Sequence, residues 1–339
     1  MSQNFAKSAS GGVPSVSVVI VNFNGEEFIS SCIGSVLAQE PVPEIVVVDN
    51  GSTDRSVSMV REIFPQVRIV LNSKNLGFAG PANQGAEAAT GDLLLFLNND
   101  ARLMPTTLST LVDALQANSK VAACQPTMMK TGGGFDSAGS MFTKTGFLHH
   151  VTDHDLASNR FGSFRFSLNG ACLLVWTELF LGAGGFDASY FAYFEESDLC
   201  WRLLSMGYVV EHVENAFAVH DTGRTTGSIF PSNYIDFLSF RNRITTIRKN
   251  GDRRLKLRVL PVHVVCCLGV SVAFVLNGKP RNAAGIVRAL LWHLRPIINR
   301  SRSEFRSVKP VSLEFLATST VPFSSSAAIR MLKAYLLRW

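Results

Sequence analysis

Acidic and amide side chains directly follow three of the four apolar segments in the first hundred residues. The residues in these positions are Asn22 and Asn24, Asp49, and Asn98, Asn99 and Asp100. A hard divalent cation takes oxygen ligands, and it needs only one or two protein carboxylates when a diphosphate supplies the others. Asp100 is thus a candidate metal ligand, and Asp49 is a candidate acceptor of hydrogen bonds from a base or ribose. A turn or a helix cap is the alternative role for both.

The segments before these residues alternate between strand and helix patterns. Continuous apolar runs at 16–21, 45–48, 67–71 and 93–97 predict buried strands, and apolar residues at helical spacing between the runs predict helices. Such alternation is typical of a parallel sheet covered on both faces, with ligands at the carboxyl ends of the strands. We therefore expect an α/β fold with a mostly parallel central sheet flanked by helices.

The loop after the first strand excludes two common phosphate-binding fingerprints. Residues 22–25 read NFNG, which does not match the GxGxxG of a dinucleotide-binding domain, and the chain has no Walker A loop. A metal held by an acidic residue at a strand end is the natural alternative for binding a diphosphate.

Four motifs in register resemble the family 2 glycosyltransferases of the GT-A fold, across residues 16–225. They are SVVIVNFNG at 17–25, VVVDNGSTD at 46–54, NLGFAG at 75–80 and LFLNND at 95–100. The branch that this pattern resembles is the rhamnosyltransferase and galactofuranosyltransferase-like group. The resemblance implies that the nucleotide sugar is bound by Asn22, Asn24, Asp49, Asn75, Gly77, Asn83, Asn98 and Asn99.

The segment FAYFEESDLCWR at 191–202 resembles the acidic segment of the same family. The second acid of its usual Glu-Asp pair is the expected catalytic base. That position is Glu196 here, a departure from the family pattern, and Glu195 is the competing choice. Asp198 and Arg202, assigned with the acceptor side, lie four residues apart and are expected to pair along a helix.

Two further matches complete the expected site. Asn169 and Gly170 resemble the segment on the acceptor side of the donor sugar, where a glycine allows close approach to a ligand. His220 matches a histidine that this group places on the metal or the diphosphate, and imidazole suits Mn²⁺ better than Mg²⁺. A strand-packing glycine and a structural histidine are the alternatives.

The resemblance implies an inverting glycosyltransferase that uses Mn²⁺ or Mg²⁺, with dTDP-rhamnose as the leading donor. Glu196 would remove the proton of the acceptor hydroxyl. A galactofuranosyl- or other hexosyltransferase is the alternative within the family. A nucleotidyltransferase or a non-catalytic nucleotide-sugar-binding protein is the alternative from another class.

Basic residues are concentrated in the last hundred residues of the chain. Residues 240–339 hold 19 of the 32 lysines and arginines but only 3 of the 26 acidic residues. We predict a disordered lead at 1–15, the transferase domain at 16–230, and a basic, helical, membrane-associated region at 231–339. This region is expected to bind an anionic membrane rather than nucleic acid, which places the protein on the cytoplasmic side of the cell membrane near a lipid-linked or glycan acceptor.

The apolar run at 259–276 is at the short limit for a helix that spans a bilayer, which needs ~20 residues. It also contains Pro261 and His263. We therefore favour peripheral or monotopic attachment. A spanning helix, a helix packed on the domain and a homo-oligomer interface remain as alternatives.

Overall fold

The computed structural model describes residues 12–221 and 230–294. Its first part alternates strands and helices as the sequence predicts. The elements are β1 (Val16–Asn22), α1 (Ile29–Leu37), β2 (Glu44–Asp49), α2 (Ser56–Ile63), β3 (Arg68–Leu71), α3 (Ala79–Ala88) and β4 (Leu93–Asn98). Strands β3, β2, β1 and β4 are neighbours in that order, and all three pairings are parallel.

The second part adds strands to the β4 side of the sheet. Its strands are β5 (Ala101–Leu103), β6 (Val121–Lys130), β7 (Phe135–Ser137), β8 (Ser140–Phe142), β9 (Leu148–His150), β10 (Phe164–Arg165), β11 (Cys172–Trp176) and β12 (Val209–His220). Its helices are α4 (Thr107–Ala117), α5 (Asp153–Ala157), α6 (Thr177–Gly182), a 3₁₀ turn (Ala188–Tyr190) and α7 (Glu195–Ser205). Strands β8 and β9 form a separate two-stranded sheet.

The main sheet runs in the order β10-β12-β6-β11-β4-β1-β2-β3, with β5 paired to β12 and β7 to β6. Strand β11 is antiparallel to both of its neighbours, β4 and β6. The sheet is therefore parallel from β4 to β3 and mixed beyond β4. The register of β12 with β6 shifts between Val213 and Phe217.

Both faces of the sheet are buried, which is why the strands are apolar without alternation. Val18 and Ile20 of β1 face one hydrophobic cluster with α1 and α4. Val19 faces the opposite cluster with α3 and α7. The parallel pairing of β1 with β2 and β4 brings the polar residues that follow these strands to one end of the sheet.

Three helices follow: α8 (Ser232–Asn250), α9 (Arg253–Leu276) and α10 (Pro280–Leu294). They pack around a third cluster that includes Phe240, Cys267, Phe274 and Ile286. Helix α9 begins at Arg253, six residues before the predicted apolar run, and contains Pro261. The predicted region 231–339 is thus described only to residue 294.

The predicted disordered lead is only partly described, since residues 1–11 lie outside the described ranges. Ser15, its last residue, donates hydrogen bonds from its amide and hydroxyl to Asp92 Oδ2 at 2.9 and 2.8 Å. The described residues therefore include 12–15 of the predicted lead.

Candidate active site

Asn22 links the ends of three parallel strands. Its Nδ2 donates to Asp49 Oδ1 at 3.0 Å and to Ser56 Oγ at 2.9 Å, while its Oδ1 accepts from Asn99 Nδ2 at 3.0 Å. Asn22 is fully buried. The Asn22 side chain therefore holds the loops after the three strands together. Because it is buried, a nucleotide sugar would contact its hydrogen-bond partners and not Asn22 itself.

The Asp49 carboxylate shapes the loop that follows β2. Its Oδ2 accepts from the amides of Gly51 and Ser52 at 3.1 and 3.0 Å, and its Oδ1 accepts from Ser52 Oγ at 2.5 Å. Together with the bond from Asn22, four donors of the chain occupy this buried carboxylate. Asn24 is exposed in the loop that follows β1, and its Oδ1 accepts from the amide of Thr53 in the loop after β2 at 2.8 Å.

A buried amide that sequence reasoning missed supports the next loop. Asn50 Nδ2 donates to Asn75 Oδ1 at 3.0 Å and to the Gly77 carbonyl at 2.7 Å, while Asn50 Oδ1 accepts from the Leu76 amide at 3.0 Å. Its place between Asp49 and Gly51 in the second motif is the signal that could have identified it. Asn50 therefore sets the position of the predicted binding residues Asn75 and Gly77.

This loop also contacts the segment that carries the acidic pair. Gly77 has φ +83°, and a Cβ at this position would overlap the Phe191 carbonyl. The same carbonyl accepts from the amides of Phe78 and Ala79 at 2.5 and 3.3 Å. Asn83 makes a second connection, since its amide group exchanges two bonds with the Phe186 backbone, at 2.8 and 2.9 Å.

Asp100 and His220 lie together at the far side of the strand ends, as predicted. His220 Nε2 is 3.3 Å from Asp100 Oδ1, and His220 Nδ1 is 3.3 Å from Asp136 Oδ2. Burial would lower the pKa of His220, but the hydrogen bonds with Asp100 and Asp136 raise it to about 9. Asp136, on the short strand β7, was not predicted, because no motif surrounds it.

A carboxylate and an imidazole in contact form a donor set that suits Mn²⁺. Among the described residues, no three His, Cys, Asp or Glu side chains are arranged to hold a metal ion by themselves. The raised pKa keeps His220 protonated near neutral pH, so a cation bound by Asp100 and His220 would take the place of this proton, with its remaining ligands coming from a diphosphate and water.

The acidic pair lies at the start of α7, where a helix N-terminus favours negative charge. Glu196 is half-buried, and its carboxylate lies beside Gly170, where an added Cβ would be 3.7 Å from the Glu196 side chain. Burial raises the pKa of Glu196 to about 7. Glu195 is buried, and burial followed by repulsion from Glu196 raises its pKa well above the ordinary value. A carboxyl group with a pKa near 7 is suited to general base catalysis.

The backbone just before the pair is strained. Phe191, Tyr193 and Phe194 all have positive φ angles, of 66°, 70° and 72°. Non-glycine residues rarely adopt this region, at a cost of about 1–3 kcal/mol each, and such strain concentrates at functional sites. The surrounding structure must therefore hold this conformation.

Asp198 and Arg202 pair along α7, with Arg202 Nε donating to Asp198 Oδ2 at 2.9 Å. Both are buried, and Asp198 also accepts from Lys249 Nζ at 2.9 Å and Asn250 Nδ2 at 2.8 Å. Burial alone would raise the pKa of Asp198, but Arg202 and Lys249 lower it below the ordinary value. Asp198 and Arg202 were predicted on the acceptor side. Because both are buried, they could affect an acceptor only through the start of α7, which they hold in place.

A short run of contacts connects the acidic pair to the predicted metal ligand. Gly170 lies against Glu196, and the next residue, Ala171, accepts a hydrogen bond at its carbonyl from the Asn98 amide at 2.9 Å. Asn98 stands two residues before Asp100. The Asn169 side chain holds this turn by accepting from the Ala171 amide at 2.9 Å. The carboxyl ends of β1, β2 and β4 and the start of α7 therefore border one site.

Comparisons with known proteins bear on the family and the fold of this chain. Residues 17–170 match the family model described as Glycosyl transferase family 2. An N-acetylglucosaminyl-diphospho-decaprenol L-rhamnosyltransferase of Mycobacterium tuberculosis is 28% identical over 227 residues, covering 60% of this chain and 73% of the relative.

Two solved structures share the fold. GalNAc-T7, solved with UDP, GalNAc and Mn²⁺, has a TM-score of 0.60 at 14% identity, covering 87% of this chain and 58% of that one. The mannosyltransferase PcManGT from Pyrobaculum calidifontis, solved with GDP-Man and Mn²⁺, has a TM-score of 0.54 at 18% identity, covering 84% and 88%. At these identities the likeness establishes the fold alone.

Proposed function

Since the chain carries a family 2 glycosyltransferase domain of the GT-A fold, we propose that it transfers a sugar from a nucleoside diphosphate to a hydroxyl group of a lipid-linked or cell-surface glycan, inverting the anomeric carbon. The observation that carries this proposal is the placement of Glu196 against Gly170, at the same end of the sheet as Asp100 and His220. A general base and a diphosphate-binding group on one site are what a single displacement requires.

In this reaction the acceptor hydroxyl oxygen forms a bond to the anomeric carbon, and the bond from that carbon to the diphosphate oxygen breaks. Glu196 receives the proton of the hydroxyl group as the bond forms. Its raised pKa keeps the carboxylate basic enough to accept this proton near neutral pH. Glu195, buried beside it, is the second choice of base.

The metal-binding role belongs to Asp100 and His220. A Mn²⁺ or Mg²⁺ ion held there would supply charge neutralisation for the diphosphate leaving group. Asp136 keeps a carboxylate on the Nδ1 side of His220, which leaves Nε2 directed at Asp100.

Rhamnose from dTDP-rhamnose is our choice of donor, and the name of the mycobacterial relative supports rhamnose as the sugar. A galactofuranosyl or other hexosyl donor is the alternative. The same name describes a polyprenyl diphosphate acceptor, which supports a lipid-linked glycan as the acceptor of this chain.

Helix α9 supports attachment to a membrane surface. It is the one helix among the described residues that is long and apolar enough to cross a membrane. One of its faces packs on the protein, and its opposite face exposes an apolar surface. We define this outer face by Leu257, Val262, Val264, Val265, Leu268, Val272, Val275 and Leu276.

The packed face favours a helix that lies on the membrane over one that crosses it. His263 is fully buried, and its ring nitrogen Nδ1 is 2.8 Å from the Thr145 carbonyl, so the middle of the helix is fixed to the domain. Exposed Arg253, Arg254 and Arg258 lie at one end of the outer face, and Arg281 lies beyond the other. Basic residues beside an apolar helix face suit an anionic lipid surface.

The test is transfer and donor hydrolysis with a panel of nucleotide sugars, with Mn²⁺ or Mg²⁺ and then with chelator, on the wild type, Asp100→Ala and Glu196→Gln. We expect one donor to be turned over, with loss of turnover in chelator and in both variants. Donor binding without any turnover in the wild type would instead support a non-catalytic binding protein. Release of pyrophosphate from a nucleoside triphosphate would support a nucleotidyltransferase.

A further inference from the structure

Helix α8 directs a row of polar side chains at the strained segment before the acidic pair. Residues 242, 246, 249 and 250 recur at helical spacing and therefore share one face. Lys249 Nζ donates to Asp187 Oδ2 at 2.8 Å and to Asp198 Oδ2 at 2.9 Å. Thr246 Oγ1 is 2.9 Å from Tyr190 Oη. These contacts bracket the strained segment on both sides.

Asn242 makes the central contacts. Its fully buried Nδ2 lies within hydrogen-bond distance of three carbonyls of this segment, at 3.1 Å from Tyr190, 2.9 Å from Ala192 and 2.7 Å from Tyr193. The Tyr190 carbonyl also accepts from the Ala192 amide at 2.8 Å. The two N–H bonds of the Asn242 amide group are therefore shared among three carbonyls within four residues, which ties this turn to helix α8 through buried hydrogen bonds that are costly to break.

The two neighbours of Asn242 act on the same segment. Arg241 Nη2 donates to the Ser189 and Tyr190 carbonyls at 3.2 and 2.9 Å. The Arg243 guanidinium lies 4.8 Å from the centre of the Phe194 ring, directly before Glu195. A cation over an aromatic face is attracted by the ring.

We propose that Asn242 is a positioning residue of the transferase, which holds residues 190–193 in the conformation that places Glu196 beside Gly170. This rests on the proposed function, and it extends the proposed site to helix α8, which carries none of the predicted site residues. The Nδ2 contacts of Asn242 are with the backbone that leads to the acidic pair, so we assign it an indirect role.

The experiment compares Asn242→Ala with Asn282→Ala in the full chain. Asn282 is a matched control, since its buried Nδ2 donates to Asp236 Oδ2 at 2.7 Å within the same group of helices but away from the acidic pair. We expect Asn242→Ala to lower kcat about 10²-fold, the loss typical of a misplaced catalytic group, with the donor KM within about twofold. Asn282→Ala should keep the wild-type kcat.

A pH profile separates positioning from general stability. If residues 190–193 relax, Glu196 and its ionisable neighbour Glu195 become better hydrated, and the pKa of Glu196 falls towards its ordinary value. The acidic limb of the kcat profile should therefore move to lower pH in Asn242→Ala and stay in place in Asn282→Ala. An unmoved limb, or equal losses of kcat in the two variants, would overturn the proposal.

Hydrogen–deuterium exchange gives a readout that needs no turnover. The amides of residues 190–194 should exchange faster in Asn242→Ala than in the wild type or Asn282→Ala. Equal exchange would overturn the proposal whether or not the chain proves to be a transferase, whereas an inactive wild type would count against the proposed function alone. If Asn242→Ala does not fold, Arg241→Met, at a half-exposed position, carries the same expectations and the same contrary outcomes.

Discussion

The donor side of the site and the acidic segment are held by different kinds of contact. Asp49 accepts most of its hydrogen bonds from residues two or three positions away in sequence. The carbonyls of Tyr190, Ala192 and Tyr193 instead accept from Asn242, which lies 49–52 positions away. The loop after β2 is therefore shaped largely by its own residues, whereas the acidic segment depends on helix α8, which lies far along the chain.

The electrostatics of α7 show the same contrast within a few residues. Asp198 has two cationic partners, and its pKa is lowered despite complete burial. Among residues 12–221 and 230–294, no cation pairs with Glu196, and burial raises its pKa to about 7. The Asp198 carboxylate therefore has a structural role, whereas the Glu196 carboxylate is available for proton transfer.

The largest effect expected at the acidic segment is that of Glu196→Gln. Loss of the base should lower kcat about 10²–10⁴-fold, the usual contribution of general base catalysis. Donor binding should remain, because the donor side has its own contacts. Initial rates at saturating donor, compared with those of Glu195→Gln, check this. A greater loss in Glu195→Gln would transfer the role of base to that residue.

Gly77→Ala tests the connection between the two sides. A Cβ at this left-handed position would overlap the Phe191 carbonyl, so the donor loop and the acidic segment must separate. We expect a loss of kcat of about 10-fold or more and a free energy of unfolding lower by about 1–3 kcal/mol.

Gly80→Ala is the control for this change, because a Cβ there meets no atom within 4 Å. It should leave kcat unchanged and slightly stabilise α3, by up to about 1 kcal/mol. Urea unfolding and initial rates measure both quantities. If Gly77→Ala and Gly80→Ala had the same kcat and the same free energy of unfolding, the contact between Gly77 and Phe191 would not couple the donor loop to the acidic segment.

The outer face of α9 should affect membrane binding and not chemistry. Val265→Glu combined with Val272→Glu places charge where the face would enter a lipid surface, at positions 69% and 58% exposed. Losing about 1.5 kcal/mol or more of apolar burial per valine should weaken partitioning into anionic vesicles at least about 10-fold.

Val42→Glu, at a position 60% exposed but far along the chain from α9, is the matched control. Cosedimentation with vesicles should be unchanged in this variant. Turnover of a water-soluble acceptor should be the same in all three proteins. If the double variant binds vesicles as well as the wild type, the attachment proposed for this face is wrong.

The smallest expected effect is on stability. The folded state raises the pKa of Glu196 from 4.5 to about 7, so the stability that the protonated group contributes is present at low pH and lost as the pH rises through 7. Glu196→Gln stays neutral, and its Tm should exceed that of the wild type at pH 8 by about 2–4 °C, with little difference at pH 4.5. Thermal unfolding at the two pH values measures this, and a Tm lower than that of the wild type at pH 8 would contradict the assignment.

Sequence patterns predicted the regular part of the molecule well, since β1 to β4 each contain a run of at least three apolar residues that is followed by a polar residue. They could not predict that β11 lies antiparallel between β4 and β6, because both pairings join distant segments of the chain. Asp136 and Asn242 were missed for the same reason, because their partners lie 84 and about 50 residues away. The pairing of Asp198 with Arg202 was predictable because it occurs within one helical turn.

The most direct test of the account is the pH dependence of kcat for the wild type, measured with donor affinity over the same range. We predict that kcat rises through a group with an apparent pKa near 7, while donor affinity stays level and Glu196→Gln loses this limb. A kcat that is flat between pH 5.5 and 8.5, or a limb that persists in Glu196→Gln, would contradict the assignment of Glu196 as the base.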